Sequence, residues 1–401
     1  MKSGVVANAM PRGPVLGWAS FAGPRAAGVT SVDALPHRAF ATSGRAAIYQ
    51  ALRQLQLPAG NAVLVPTYHC PTMVAPVVQA DLQPLFFAID ASGLPDLASI
   101  ERSCGVQARA MLVAHYFGIP RSLAAAREFC DRHGIALIEN CAHCYFGVAG
   151  ERPVGAWGDF AIASLTKFFP VPEGGLLASA TRPFALSLEP AGIVAQLKGV
   201  ADTLELACEF GRLRSLNAAL RAAFALKHLR GRRSAAPINV AASAPDRLGG
   251  WDVIRPAKMP LGVSTWLSRA LPRGRIVAQR RANYRLYANL LAGATGARPL
   301  LSRADVGEGA AAPYVFPLWV QDADRVYHAL RAHGAAVLRW DRLWEGTPGI
   351  DGDCGLAWSR HVLQFLCHQD LDARDIEATA AATRALLECE AARVDAARPM
   401  P

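Results

Sequence analysis

Residues 160–175, FAIASLTKFFPVPEGG, decide how the rest of the chain is read. Phe160 to Leu165 form an apolar strand pattern, and Lys167 stands just past its end. A proline-stiffened turn and the pair Gly174-Gly175 follow. A lysine placed there is poorly solvated, and apolar neighbours lower the pKa of an amine and free it as a nucleophile. Such an amine can form a Schiff base with a carbonyl cofactor, above all pyridoxal phosphate. A lysine that merely closes a strand is the competing reading of this segment, so the rest of the chain has to decide.

From Ser43 to about residue 180 strand and helix patterns alternate. Helices are expected over 46–57, 72–80 and 123–133. Strands are expected over 63–65, 85–89, 111–114, 135–139, 160–165 and 175–178. Short apolar strands alternating with helices predict an α/β fold: a mostly parallel central sheet covered by helices on both faces. Ligands in such sheets gather at the carboxyl ends of the strands, where His69, Asn140 and Lys167 all fall. A second pattern begins near Pro260, with a helix over 275–291, a strand over 315–320, a helix over 324–333, a strand over 336–339 and a helix over 372–390. It predicts a smaller C-terminal α+β domain. The expected division is an N-terminal arm (1–40), a large domain (41–250), the small domain (251–395) and a tail (396–401).

The 401 residues are 52% hydrophobic and 18% charged, a globular composition with room for a buried core. No run is apolar and long enough for a membrane span, and no leader pattern is evident, so a cytoplasmic location is expected. The nine cysteines show no disulfide framework. Cys141 and Cys144 form a CxxC without a second pair at zinc spacing; His143, His69 and Cys70 could complete a site, but no metal is expected. The net charge of +10 comes without a nucleic-acid reading module, which points to an anionic substrate or surface instead. Between Arg212 and Arg233 stand seven Lys or Arg and no acidic residue. Leu213, Leu216, Leu220 and Phe224 mark one face of a helix there, and Arg214, Arg221 and His228 another. This is either a solvated helix packed on the domain or a segment that leans on an anionic membrane. Ser234 to Pro260 reads as a linker.

Ser43-Gly44-Arg45 opens a helix with a good N-cap and a glycine that lets backbone N–H groups approach an anion. Ser164 offers a hydroxyl to the same anion. Asn140 and His143, three residues apart at a strand end, can reach two neighbouring atoms of a ring. Tyr68-His69-Cys70 after Pro66 can cover a flat ring, although an aromatic at a strand end is more often core.

With these segments in view the chain resembles the DegT/DnrJ/EryC1/StrS family of sugar aminotransferases, fold-type I enzymes that use pyridoxal 5'-phosphate, and within it a branch associated with polysaccharide biosynthesis. The resemblance rests on SGRAAIYQAL (43–52), VLVPTYHCP (63–71), VAHYFGIP (113–120), LIENCAHCYFG (137–147), GDFAIASLTKFFPVPEGG (158–175) and QRRANY (279–284), in the family's order. It implies that Lys167 forms the Schiff base and that Glu173-Gly174-Gly175 is the family's acidic-glycine turn. Ser43, Gly44, Arg45 and Ser164 hold the phosphate, and His143 stands beside the phenolic oxygen. The ring-stacking segment aligns with Tyr68 to Cys70, its usual aromatic falling on Cys70, which leaves Tyr68 or His69 for that contact. A homodimer, a nucleotide-linked keto sugar and glutamate as amino donor are implied too.

Asn140 departs from the pattern, which places an aspartate against the pyridine nitrogen. An opposite charge shifts a pKa by about 1–3 units, so the carboxylate keeps that nitrogen protonated. Asparagine leaves the electron sink weaker while cofactor binding survives. Glu139 cannot take over, because adjacent strand residues face opposite ways. Asn140 therefore keeps two further readings open: a non-catalytic or altered-activity cofactor-binding relative, and a sugar dehydratase. Against the dehydratase stands Lys167, since dehydratases of this family usually carry histidine there.

Overall fold

A computed structural model describes residues 10–23, 28–103, 107–232, 255–301 and 311–396. Its centre is a seven-stranded sheet. In chain order the strands are β1 (His37–Ala41), β2 (Ala62–Pro66), β3 (Gln83–Phe87), β4 (Ala110–Ala114), β5 (Ala136–Asn140), β8 (Phe160–Ser164) and β9 (Gly175–Ser179), with the hairpin β6 (Val148–Ala149) and β7 (Arg152–Pro153) inserted before β8. The spatial order is β1-β9-β8-β5-β4-β2-β3. Neighbours from β3 through β8 run parallel, and β9 runs antiparallel to both β8 and β1. The strand β1 falls almost wholly in the expected N-terminal arm and carries no clear pattern of its own (HRAFA); it joins the sheet as an edge paired to β9.

Helices α1 (Gly44–Gln54), α2 (Pro71–Gln79), α3 (Leu97–Arg102) and α4 (Ala124–His133) connect these strands. Each forms for a local reason. Ser43 caps α1 by accepting the Ala46 N–H at 3.1 Å. Pro71 takes the first position of α2, where its missing N–H costs nothing. Gly134, in left-handed conformation, closes α4. One face of the sheet is packed by Ile48, Leu52, Val74 and Val77 from α1 and α2, and the other by the larger cluster containing Phe129, Phe146, Phe168 and Phe169.

The next segment holds α5 (Ile193–Glu209) and α6 (Leu216–Arg232). Leu220 and Phe224 of α6 pack with Leu213 against Val15, Ala207 and Cys208. Arg221 donates to the Cys208 carbonyl at 3.0 Å. That packing accounts for the apolar stripe without a lipid surface, although Leu216 remains exposed. No described helix is long and apolar enough to cross a membrane. His228 and most of the expected linker lie outside the described side chains.

After α7 (Gly262–Ala270) and α8 (Arg273–Leu290) comes a four-stranded antiparallel sheet, ordered β10-β11-β13-β12. It contains β10 (Ala297–Pro299), β11 (Val315–Val320), β12 (Val337–Leu338) and β13 (Val362–Leu366), with α9 (Ala323–Ala332), α10 (Gly355–His361) and α11 (Ala373–Ala396). β13 runs through the centre of this sheet, a strand that the sequence pattern did not announce. Arg273 at the start of α8 forms a two-pronged ion pair with buried Asp33, tying this unit to the N-terminal segment.

The turn between β8 and β9 is set by its glycines. Gly174 has a φ of 134°, a region that L side chains rarely adopt. At Gly175 an added Cβ would lie 2.1 Å from the Ser43 carbonyl oxygen, so only glycine lets β9 run against the loop that opens α1. Gly175→Ala should therefore destabilise the protein by about 1–3 kcal/mol through overpacking. Urea unfolding measures it, and an unchanged midpoint would show that this close approach is not enforced.

Candidate active site

Parallel register aligns the carboxyl ends of the strands. Ala114 pairs with Asn140, and Asn140 with Ile162, across β4, β5 and β8. These three residues border a cavity of about 210 Å³, together with Ser43, Gly44, Arg45, Ser164 and Lys167. Asn140 and His143 face it from the end of β5. Seven of the nine residues expected at the site therefore meet around one space.

Lys167 ends a short 3-10 turn, Leu165–Lys167, so β8 stops at Ser164, one residue before the expected end. Its Nζ lies 5.3 Å from the centre of the Tyr314 ring. Burial lowers the pKa of the amine from 10.5 to about 8. His143 packs between Tyr314 and Trp340, with ring centres 4.5 and 4.9 Å away. Burial first, and the Lys167 charge second, hold its pKa well below the ordinary value, so it is neutral at pH 7. Burial likewise pushes Tyr314 up to about 12.

Asn140 is buried, and its Oδ1 accepts the Ala142 N–H at 3.0 Å. With the oxygen engaged, the amide has its NH₂ group left to present to the cavity. Glu139 faces the other way, as strand alternation requires. Its carboxylate accepts from His115 Nε2 at 2.8 Å and from the backbone N–H of Gly155, Trp157 and Gly158. Burial raises its pKa, but these hydrogen bonds outweigh that and hold it below the usual carboxylate value. The Arg121 N–H donates to His115 Nδ1, which assigns the ring proton to Nε2. Cys141 Sγ lies 3.7 Å from the same carboxylate. His115, Glu139 and Cys141 are close enough to hold a metal ion, yet Glu139 and His115 already have these hydrogen-bond partners. Cys144 turns to the Phe146 carbonyl instead.

Tyr68 and His69 do not border the cavity. Tyr68 lies fully buried among Tyr116, Phe117, Trp340 and Trp358, its hydroxyl accepting from Gln364 Nε2 at 2.9 Å. His69 donates from Nδ1 to the Pro66 carbonyl and accepts the Trp344 N–H at Nε2 (3.0 Å), while stacking on Phe86. Burial lowers its pKa to about 4. Both hold the strand end in place, and from this segment only Cys70 reaches the cavity wall. Glu173 lies outside it as well: its carboxylate accepts the Leu261 N–H at 3.0 Å and lines a separate cavity of about 460 Å³.

Sequence reading missed Thr72, Thr166, His115, Tyr116 and Trp340 on the wall. Thr166 had a signal, since it stands between Ser164 and Lys167 and its hydroxyl lies 3.2 Å from that of Ser164. Trp340 comes from the C-terminal unit and had none. No carboxylate is among the described residues that border the cavity, while Arg45 and the N–H groups opening α1 are. A buried amine of lowered pKa, a hydroxyl pair and a helix N-terminus around a carboxylate-free space fit an anionic carbonyl cofactor.

Residues 35–223 match the model of the DegT/DnrJ/EryC1/StrS aminotransferase family. The chain is 28% identical over 146 residues to a GDP-perosamine synthase of Vibrio cholerae, covering 36% of this chain and 40% of that protein. It is 32% identical over 144 residues to a putative L-glutamine:3-amino-2,3-dideoxy-scyllo-inosose aminotransferase of Micromonospora echinospora, 35% of this chain and 34% of that one. These matches span about two fifths or less of those relatives' length. The crystal structure of the aminotransferase TlmJ from Streptoalloteichus hindustanus superposes with a TM-score of 0.60 at 18% identity, over 88% of this chain and 87% of that one. The fold is thus that of these aminotransferases.

The lowered pKa of Lys167 has a direct consequence. With the pKa brought down from 10.5 to about 8, the free-amine fraction at pH 7 is roughly 300-fold that of an ordinary lysine. Acetylation of Lys167 in cofactor-free protein, followed by peptide mass spectrometry, should rise with a midpoint near pH 8. A midpoint at the ordinary value of 10.5 would show the amine to be solvated.

Proposed function

The chain belongs to the DegT/DnrJ/EryC1/StrS aminotransferase family, and from that premise we propose that it is a pyridoxal-phosphate-dependent aminotransferase converting a keto sugar, nucleotide-linked, into an amino sugar for polysaccharide or glycoconjugate assembly. One observation carries this reading: Lys167, Asn140, His143, Ser164 and the Ser43-Gly44-Arg45 helix start share one cavity. Family resemblance adds glutamate as amino donor and a homodimer. GDP-perosamine synthase, the Vibrio relative, supports a nucleotide-linked sugar.

In this reading the α1 N-terminus, Arg45, Ser164 and Thr166 hold the phosphate, and Lys167 Nζ is the point of covalent attachment. The bound cofactor supplies an electron sink for the substrate carbon next to the amine. Lys167 Nζ, a base near neutral pH, would carry the proton between the substrate carbon and the cofactor carbon that bonds the same nitrogen. Neutral His143 offers a ring N–H to the cofactor's phenolic oxygen. Asn140 donates from its amide to a ring nitrogen that carries no proton, because its oxygen is held by Ala142. That contact would still orient the ring, but as a neutral hydrogen bond it withdraws fewer electrons than an ion pair with aspartate. Asn140 is also what favours the second reading, a cofactor-binding relative of altered activity.

Two measurements separate these readings. Protein purified with pyridoxal phosphate should be yellow, and Lys167→Ala should lose that absorbance; a protein that stays colourless sinks both. Asn140→Asp should raise the half-reaction rate with glutamate by about tenfold, the equivalent of one pKa unit. An unchanged or lower rate favours the altered-activity reading.

A further inference from the structure

Arg280 sits on α8, outside the central sheet, within the QRRANY segment, yet its guanidinium ends beside Lys167. It is fully buried. Nη2 donates to the Lys167 carbonyl, Nη1 to the Pro313 carbonyl at 3.3 Å, and Nε to Gln369 Oε1 at 3.0 Å. The guanidinium carbon lies 4.5 Å from the centre of the Phe168 ring. Gln369 in turn donates from Nε2 to the Phe168 carbonyl at 2.9 Å. Two consecutive carbonyls, of Lys167 and Phe168, are therefore held by two buried side chains from the C-terminal unit.

The acceptors of these bonds are neutral oxygens. Burial lowers the Arg280 pKa to about 10, so the group stays charged at neutral pH. A buried cation bonded only to neutral groups is costly, and an apolar side chain would fill the volume more cheaply. What an apolar side chain lacks is a rigid fork of donors aimed at several oxygens at once. The need for such a fork is local. Lys167 stands in a single 3-10 turn, whose backbone bonds end on the Leu165 carbonyl, and no helix or strand fixes its own carbonyl. The bond to Pro313 also steadies the next residue, Tyr314, whose ring faces the Lys167 amine.

We propose that Arg280, seconded by Gln369, is a positioning residue: it fixes the backbone at Lys167 and Phe168 so that the Lys167 amine stays inside the cavity, over Tyr314, instead of swinging into solvent. The proposal rests on Lys167 as the cofactor lysine. Its test uses protein free of cofactor, so it can fail while that assignment stands, and the assignment can fail while the clamp stands.

The readout is the pH profile of Lys167 acetylation in wild type, Arg280→Met, Arg280→Lys and Gln369→Leu, each first checked for a wild-type circular dichroism spectrum and thermal midpoint. Release of the backbone hydrates the amine, so the midpoint should move up by about one pH unit or more. Arg280→Lys keeps the charge but not the fork and should move it too; Gln369→Leu should do so with no change of charge. If Arg280→Met alone moves the profile, the effect is electrostatic and positioning is overturned. If no folded variant moves it, the clamp is overturned as well. Should the Arg280 variants not fold, Gln369→Leu decides alone: a raised midpoint supports the clamp, an unchanged one overturns it.

Discussion

The parallel register of β4, β5 and β8 is the constraint from which the rest follows. It sets Ala114, Asn140 and Ile162 side by side at one edge of the sheet. Each chain segment that leaves this edge then contributes to one space: His115 after β4, His143 after β5, Lys167 after β8. A slip of one residue would turn Asn140 into the core and bring Glu139, a carboxylate, to the cavity. The buried hydrogen bonds that Glu139 makes on the far side oppose such a slip, because it would leave them unmade.

Two further contacts complete the space. On one side Gly175 lets β9 approach the Ser43 carbonyl, which seats the start of α1 against Ser164. On the other, the C-terminal unit sends Tyr314 and Trp340 to His143. The site is thus a joint between two sheets, and the apolar cluster around Tyr116, Phe117 and Trp358 is shared by both. Edge-to-face and tilted ring pairs of this kind contribute about 0.5–1.5 kcal/mol each beyond area burial.

The sequence made the fold class legible because β2, β4, β5, β8 and β9 are short, apolar and separated by helical periodicity. It made most of the cavity legible because residues at the ends of parallel strands must converge. It failed where the deciding interaction is long-range. HRAFA at β1 becomes a strand only because β9 offers it an edge. Trp340 reaches the cavity wall, and Tyr314 reaches Lys167 and His143 behind it, through packing of the C-terminal sheet, which no local pattern encodes. Tyr68 and His69 lie off the cavity wall for a related reason. Two adjacent residues past a strand end need not face the ligand, and here Gln364 and the Trp344 N–H, distant in sequence, draw both inward.

The electrostatics of the cavity draw these points together. Among the described residues on its wall there is no carboxylate; Lys167 and His143 are both pushed toward their neutral forms by burial, and asparagine stands where the resemblance implies an aspartate. Glu139, one residue away, keeps its charge on the opposite face. The fold has therefore removed negative charge from the space while keeping Arg45 and the N-terminus of α1 on its wall. Such a cavity favours an anion at one end and a neutral ring at the other. A protonated pyridine ring would find no counter-charge there, so the same arrangement that favours phosphate binding disfavours the charged form of the ring. Under the proposed function, affinity for the ring and electron withdrawal, which an aspartate would couple, would be separated by a single change of oxygen to NH₂ at residue 140.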